Sequence, residues 1–175
     1  MNDKDLFLVE TIDDIDLEDI VKSYPNYVWL ESQAAHSRYK HLPNVKNTDI
    51  RNCSATKISK DIQKILFEKI EPIVYEYAKK NKISFFSSEY QLVKYTEGQF
   101  FIEHTDSTEE FPRKISALLY LNEDYSGGEI VFSQLNISIK PTKNMLVVFP
   151  SSSNFSHSAE PVISGTKYVI VGFWS

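Results

Sequence analysis

The spacing of hydrophobic positions changes about halfway along the chain. Between residues 59 and 82, Ile62, Ile65, Leu66, Ile70, Ile73, Val74 and Tyr77 recur every three or four residues, the spacing of one face of an α-helix. Ser59 stands where its side chain can cap the first turn, and Lys79, Lys80 and Lys82 suit the negative end of a helix dipole. Pro72 lacks an amide proton, so the pattern predicts either a kink or two abutting helices. Upstream, Leu6 to Glu10 reads as a short strand. Asp16 reads as the cap of a helix through Leu17, Ile20 and Val21 that stops near Pro25. Residues 26 to 57 keep no period and read as one long connection, of a length that usually carries function.

From residue 88 the pattern is that of strands. The predicted strands are Glu89–Thr96, Phe100–His104, Lys114–Asn122, Glu129–Ser133, Asn136–Lys140, Met145–Phe149 and Lys167–Trp174. All five glycines lie after residue 97, and Gly127-Gly128 and Lys143-Asn144 fall where tight turns need positive φ. Ile115 to Leu121 and Met145 to Phe149 are apolar on both faces, as strands packed on two sides would be. The pattern predicts a mainly β fold with N-terminal helices, as a β-sandwich or jelly roll.

Composition narrows the class. At 175 residues with 42% hydrophobic and 25% charged positions, the chain reads as a single globular domain. Apolar runs stop at the length of Met145 to Phe149, far short of the ~20 residues of a membrane helix. The acidic start, Met1-Asn2-Asp3-Lys4-Asp5, does not have the order of a secretory signal, so the expectation is a cytoplasmic protein without membrane partners. Cys53 is the sole cysteine, which excludes an internal disulfide and a cysteine-built zinc site. The net charge of −5 comes from residues 1–20, where eight acids face Lys4. The remainder is near neutral, which argues against a nucleic-acid face. The local exception is residues 36–57, where Arg38, Lys40, Lys46, Arg51 and Lys57 face only Asp49. That segment reads as a solvated loop or as a lip that attracts an anionic substrate.

Four histidines are available: His36, His41, His104 and His157. In His104-Thr105-Asp106 an imidazole and a carboxylate two residues apart share one side of an extended chain and can grip one ion. Alone the triplet is a weak signal. With His157, from the polar stretch after Pro150, it makes a two-histidine, one-carboxylate set that leaves three coordination positions open. Such a set suits non-haem Fe(II), although zinc hydrolases use similar donors. Lys167 heads a face continued by Val169, Val171 and Phe173, so it is either a snorkelling edge charge or a buried cation that needs an anionic ligand. Tyr95 and Tyr120 read as core tyrosines whose hydroxyls can also reach a ligand.

These residues fall inside longer matches. Tyr95-Thr-Glu-Gly98-Gln99 running on to His104-Thr-Asp106 resembles the Y-x-x-G-Q-x-x-x-x-H-x-D core of the prolyl 4-hydroxylase-like 2-oxoglutarate/Fe(II) dioxygenases. Tyr120-Leu-Asn122, Gly127-Gly128 to Phe132, Lys140-Pro141, and Val148-Phe149-Pro150 resemble the family's next pieces, in its order. The last piece, from His157 through Pro161-Val162 and Gly165 to Lys167-Tyr168, resembles its H-x-x-x-P-V-x-x-G-x-[RK]-Y ending. The resemblance covers about residues 88 to 175. It implies a double-stranded β-helix, with His104, Asp106 and His157 as Fe(II) ligands. It also implies Lys167 as the partner of the distal carboxylate of 2-oxoglutarate, and Tyr95 and Tyr120 as pocket residues. Phe173 falls where many relatives carry tryptophan, with Trp174 one place later, and Asn144 replaces a turn glycine.

The expected organisation is one domain over 1–175. Residues 1–87 form a helical support and substrate-covering segment, and residues 88–175 form the catalytic core. The expected activity uses Fe(II), 2-oxoglutarate and O2, with ascorbate as reductant, and releases succinate and CO2. The expected target is a prolyl residue in a peptide or protein, on which Tyr27, Trp29 or Tyr39 either stacks or simply fills core. Hydroxylation of a free amino acid or small metabolite is the alternative. Oxidation of a nucleic-acid base and a jelly-roll binding module with a vestigial site are weaker readings.

Overall fold

The computed structural model of the chain describes residues 3–13, 15, 17, 21, 28–31 and 47–175. The predicted helix from Asp16 to Val21, together with Tyr27, His36, Arg38, Tyr39, Lys40, His41 and Lys46, lies wholly or mostly outside them. In chain order the strands and helices are β1 (Leu8–Thr11), β2 (Leu30–Glu31), α1 (Asn47–Ile50), β3 (Arg51–Asn52), β4 (Ser54–Lys57), α2 (Lys60–Lys69), α3 (Glu71–Asn81), β5 (Ser88–Thr96) and β6 (Phe100–His104). There follow β7 (Ile115–Tyr120), β8 (Ser126–Gly127), β9 (Ile130–Phe132), β10 (Ile137–Ile139), β11 (Met145–Pro150), β12 (His157–Ala159), β13 (Val162–Ser164) and β14 (Thr166–Trp174). Among these described residues no helix is long and apolar enough to cross a membrane.

The helical period resolves into two abutting helices. Ser59 caps α2 by accepting from the Ile62 amide, and Pro72 sits in the first turn of α3, where its missing N–H is harmless. Ile62, Leu66, Ile70 and Val74 are at most 1% exposed and face a sheet. Each such burial stabilises the fold by roughly 1.5–3 kcal/mol.

That sheet has the order β1-β11-β7-β14-β5-β4-β2, and its pairs are antiparallel. A second sheet runs β10-β9-β12-β6-β3, and β13 pairs with β8 beside it. Strand β7 shows why the sequence is apolar on both faces. Ile115, Ala117 and Leu119 pack toward the helices, whereas Leu118 and Tyr120 belong to the cluster that also holds Ile130, Phe132, Val147 and Phe149 from the two sheets. Two antiparallel sheets closed on an inner cluster, with helices behind the larger one, form the expected double-stranded β-helix.

Three expectations need correction. The first strand starts at Leu8 rather than Leu6, because residues Asp3–Leu6 form a 3-10 turn whose end is tied down when Tyr77 Oη donates to Leu6 O at 2.7 Å. Residues 26–57 are not one connection: the described part contains β2, α1, β3 and β4, and β4 pairs with β5 while β3 pairs with β6. Strands of two to four residues are too short to show a period. The polar run after Pro150 is not only loop either, since His157 opens β12 and is 5% exposed. The turn at Asn144 does have positive φ, 62°.

Candidate metal centre

The two histidines are brought together by strand register. His157 at the start of β12 is the direct cross-strand partner of His104 at the end of β6, and their ring centroids are 4.4 Å apart. The residues preceding them are also tied, because Ser156 Oγ donates to Glu103 Oε1 at 2.7 Å. Asp106, two residues past the end of β6, turns its carboxylate to both rings: Oδ1 is 3.5 Å from His104 Nε2, and Oδ2 is 3.7 Å from His157 Nε2. One donor atom from each of the three residues lies within 4.8 Å of the others.

The surrounding bonds set the protonation of each donor. His104 Nδ1 is 2.9 Å from Ile102 O, and His157 Nδ1 is 3.0 Å from Phe155 O. A carbonyl only accepts, so each Nδ1 carries a proton, which leaves each Nε2, facing the shared space, as the atom that can offer a lone pair to a metal. Burial opposes ionisation of Asp106. The His157 and His104 rings and the Ser116 hydroxyl, which donates to Oδ2 at 2.6 Å, outweigh it and hold the carboxyl well below the usual carboxylate range. Aromatic walls fix the rings: Phe101 stacks on His104 at 3.5 Å and 12°, and Phe149 meets His157 edge-on. Two imidazoles with Nε2 turned inward and one ionised carboxylate on one side of a pocket match the donor set of a divalent transition metal with open positions.

Lys167 lies in the same pocket. It is 2% exposed, its Nζ donates to Gly128 O at 2.9 Å and it sits 4.4 Å from the centre of the Tyr95 ring. Burial lowers its pKa to about 8, against smaller raising effects of Cys53 and Glu129. Among the described residues no carboxylate is in salt-bridge contact with it, so a buried cation faces the cavity ready for an anion. Gly128 makes the position possible: its φ is +70°, and an added Cβ would come within 3.3 Å of Lys167 Cδ. Tyr95 is cross-strand partner of Lys167 on β5, and Tyr120 of Val169 on β7. Burial pushes both phenols well above their ordinary pKa, so each is a proton donor at neutral pH. All six residues singled out in the sequence thus line one pocket.

Sequence reasoning missed several residues around them. Ser116 and Ser151 form a buried hydroxyl pair behind Asp106. Asn122 brackets Lys167, donating to Thr166 O and accepting from the Tyr168 amide. Arg51 and Arg113 reach the pocket rim. The inward alternation of Ser116, Leu118 and Tyr120 could have flagged the serine. Arg51 stood out in the sequence only as one of five cations in the basic run 36–57, and its place at the pocket comes from pairing of β3 with β6. Phe173 lines the pocket beneath Arg113, while Trp174 points the other way, donating from Nε1 to Glu71 Oε2 at 3.0 Å. Trp29 packs on the helix side of the large sheet and against Lys94, which places it in core rather than in the pocket.

Comparison with known proteins bears on the same residues. Residues 90–175 match the family model of the 2OG-Fe(II) oxygenase superfamily. A putative prolyl 4-hydroxylase of Acanthamoeba polyphaga mimivirus is 30% identical over 142 residues, 69% of this chain and 57% of that protein. Human prolyl 3-hydroxylase 2 is 36% identical over 67 residues, 35% of this chain and 9% of its own length. The chain therefore spans well under two thirds of these relatives. In fold it is similar to a Trichoplax adhaerens prolyl hydroxylase solved with a hypoxia-inducible-factor peptide, with TM-score 0.78 and 19% identity over 96% of this chain and 82% of that one. It is also similar to a Pseudomonas putida prolyl-4-hydroxylase, with TM-score 0.63 and 21% identity over 90% and 97%. Over residues 90–175, which carry the three donors and Lys167, the chain matches the 2OG-Fe(II) oxygenase superfamily, and with the prolyl hydroxylases above as its relatives and fold neighbours it is prolyl hydroxylase-like.

Proposed function

We propose that the protein is an Fe(II)- and 2-oxoglutarate-dependent dioxygenase that hydroxylates a prolyl residue in a peptide or protein. The observation that carries the reading is the pairing, in one pocket, of the His104–Asp106–His157 donor set with the buried, carboxylate-free ammonium of Lys167. The second feature is what a co-substrate with a distal carboxylate needs. The prolyl target rests on the relatives, which are named prolyl hydroxylases. When bound, iron and 2-oxoglutarate supply the oxidation of a C–H bond by O2, with succinate and CO2 released and ascorbate restoring the metal.

The chain's own part is positioning and exclusion of water. His104, Asp106 and His157 hold the metal from one side, and the Nδ1–H bonds to Ile102 and Phe155 keep both imidazoles oriented. Lys167 pairs with the distal carboxylate of the co-substrate, and the hydroxyls of Tyr95 and Tyr120 donate to its oxygens. Asn122 keeps the lysine from swinging along β14. Phe101, Leu118, Val169 and Phe173 make the walls apolar, which keeps water out and strengthens each electrostatic contact. The reading takes residues 1–175 as one working unit in the cytoplasm, with the helices as a platform for the larger sheet.

The deciding experiment measures succinate formed from 2-oxoglutarate with Fe(II) and ascorbate. No substrate, free proline and a panel of proline-containing peptides are compared, with mass spectrometry for one added oxygen. Stimulated succinate with oxygen on a peptide proline is the expected result. Succinate without any modified peptide would remove the prolyl target and leave a different substrate to the same chemistry.

A further inference from the structure

The pocket holds one more positive charge than the co-substrates need. A ferrous ion, the Asp106 carboxylate, a 2-oxoglutarate dianion and the Lys167 ammonium sum to zero. Arg113, at the rim, is matched by Glu89, whose Oε1 accepts from its Nη2 at 2.7 Å. Arg51 is the remainder. Among the described residues no carboxylate is in salt-bridge contact with it, and its Nε is shielded from solvent without a hydrogen-bond partner. Its guanidinium lies over the Phe101 ring, 4.9 Å from its centre, and Phe101 is stacked on His104. Arg51 is therefore one ring away from the His104 imidazole, and it lines the same pocket. A shielded guanidinium N–H without an acceptor is unfavourable unless a ligand supplies one, and the planar group matches a carboxylate with two parallel hydrogen bonds.

We infer that Arg51 is the anchor for a carboxylate carried by the substrate. The substrate is then an acidic one: a peptide with Asp or Glu close to the oxidised residue, or a free amino acid presenting its own carboxylate. Phe101, with Arg51 on it, forms one wall of the entry. Phe173, with Arg113 3.5 Å above its ring, forms another. Both aromatic faces border the pocket, so an apolar ring such as that of proline would pack on them with its carboxylate-bearing neighbour toward Arg51. This inference rests on the oxygenase reading above and specifies its substrate class.

The test is a binding measurement on the whole chain loaded with Mn(II) and 2-oxoglutarate under nitrogen, so that nothing turns over. The probes are capped hexapeptides with one proline and an Asp placed one to three residues to either side, the Asn isostere of each, and the pair L-proline and L-prolinamide. The expected result is that wild-type protein binds at least one carboxylate probe about tenfold or more tighter than its amide partner. Arg51→Gln should reduce that ratio to about twofold or less without changing 2-oxoglutarate affinity, which also shows that the variant is folded. A preference confined to the peptides assigns the acid to a side chain, and one confined to L-proline assigns it to a free amino acid. Equal binding of acid and amide by the wild type overturns the inference. So does a preference that survives Arg51→Gln, or a loss of 2-oxoglutarate binding in that variant, which would assign Arg51 to the co-substrate. Wild-type protein that binds neither Mn(II) nor 2-oxoglutarate overturns the oxygenase reading itself, a result separate from intact loading with no acid preference.

Discussion

Ser116 Oγ donates to Asp106 Oδ2 at 2.6 Å, and because that proton is committed, the neighbouring Ser151 hydroxyl at 2.7 Å donates to Ser116 in turn. The pair is buried, at 0% and 1% exposure. It fixes a carboxylate that follows the end of β6 and has no strand of its own to hold it. Ser116→Ala leaves Oδ2 short of one charge-assisted bond. The expected outcome is roughly tenfold weaker Fe(II) binding, with about 1–3 kcal/mol lost from stability. Metal titration and denaturant unfolding of the metal-free protein check the two effects separately.

Lys167→Met separates binding from folding. The methionine keeps most of the volume and removes a buried cation without a carboxylate partner, so the metal-free variant should be at least as stable as the wild type. Its 2-oxoglutarate requirement should rise by about tenfold or more, because the distal carboxylate loses its partner. A thermal melt and the dependence of succinate formation on 2-oxoglutarate concentration test both halves.

The same lysine sets a pH dependence. Its folded pKa of about 8 lies below the ordinary lysine value of 10.5, so between these limits the unfolded chain holds a proton that the folded chain lacks. Its contribution to the stability of the ligand-free protein therefore rises as pH increases from about 8 to 10.5. Binding of 2-oxoglutarate has the opposite trend, since it requires the ammonium and must take up a proton above pH 8. Calorimetric titrations at pH 7 and pH 9 in two buffers of different ionisation enthalpy should show proton uptake only at the higher pH.

Phe173 and Trp174 are neighbours with opposite jobs. Phe173→Trp should alter turnover and substrate preference with little change in stability, because the ring borders the pocket. Trp174→Ala should cost about 3–5 kcal/mol, since it empties a fully buried site in the helix-side core and strips the partner from Glu71 Oε2. Chemical denaturation of the two variants side by side gives the contrast.

Removal of the metal is the simplest check on the donor set. Excess chelator should abolish succinate formation, and Fe(II) should restore it to the wild type but not to Asp106→Ala. The variant loses the one ionised donor, and two neutral imidazoles alone hold iron weakly.

The sequence alone determined the helical segment, seven of the strands and the jelly-roll class, because each is a matter of local period: a 3.6-residue apolar face over 62–77 and apolar strand patterns after 88. It also named the candidate donor set, since His104 and Asp106 are two residues apart and His157 stands in an ending that resembles the family's. Only the tertiary structure decided what the periods cannot encode. Strands β3 and β8 have two residues, too few for any pattern, and exist because a neighbouring edge supplies their hydrogen bonds. Arg51 enters the pocket because β3 pairs with β6 across fifty residues of chain. Ser116 meets Asp106 because β7 crosses behind the end of β6, and Trp174 leaves the pocket to Phe173 because strand residues alternate in direction. Local residue types named the candidate metal donors, and long-range pairing chose the residues that orient them and that line the pocket beside them.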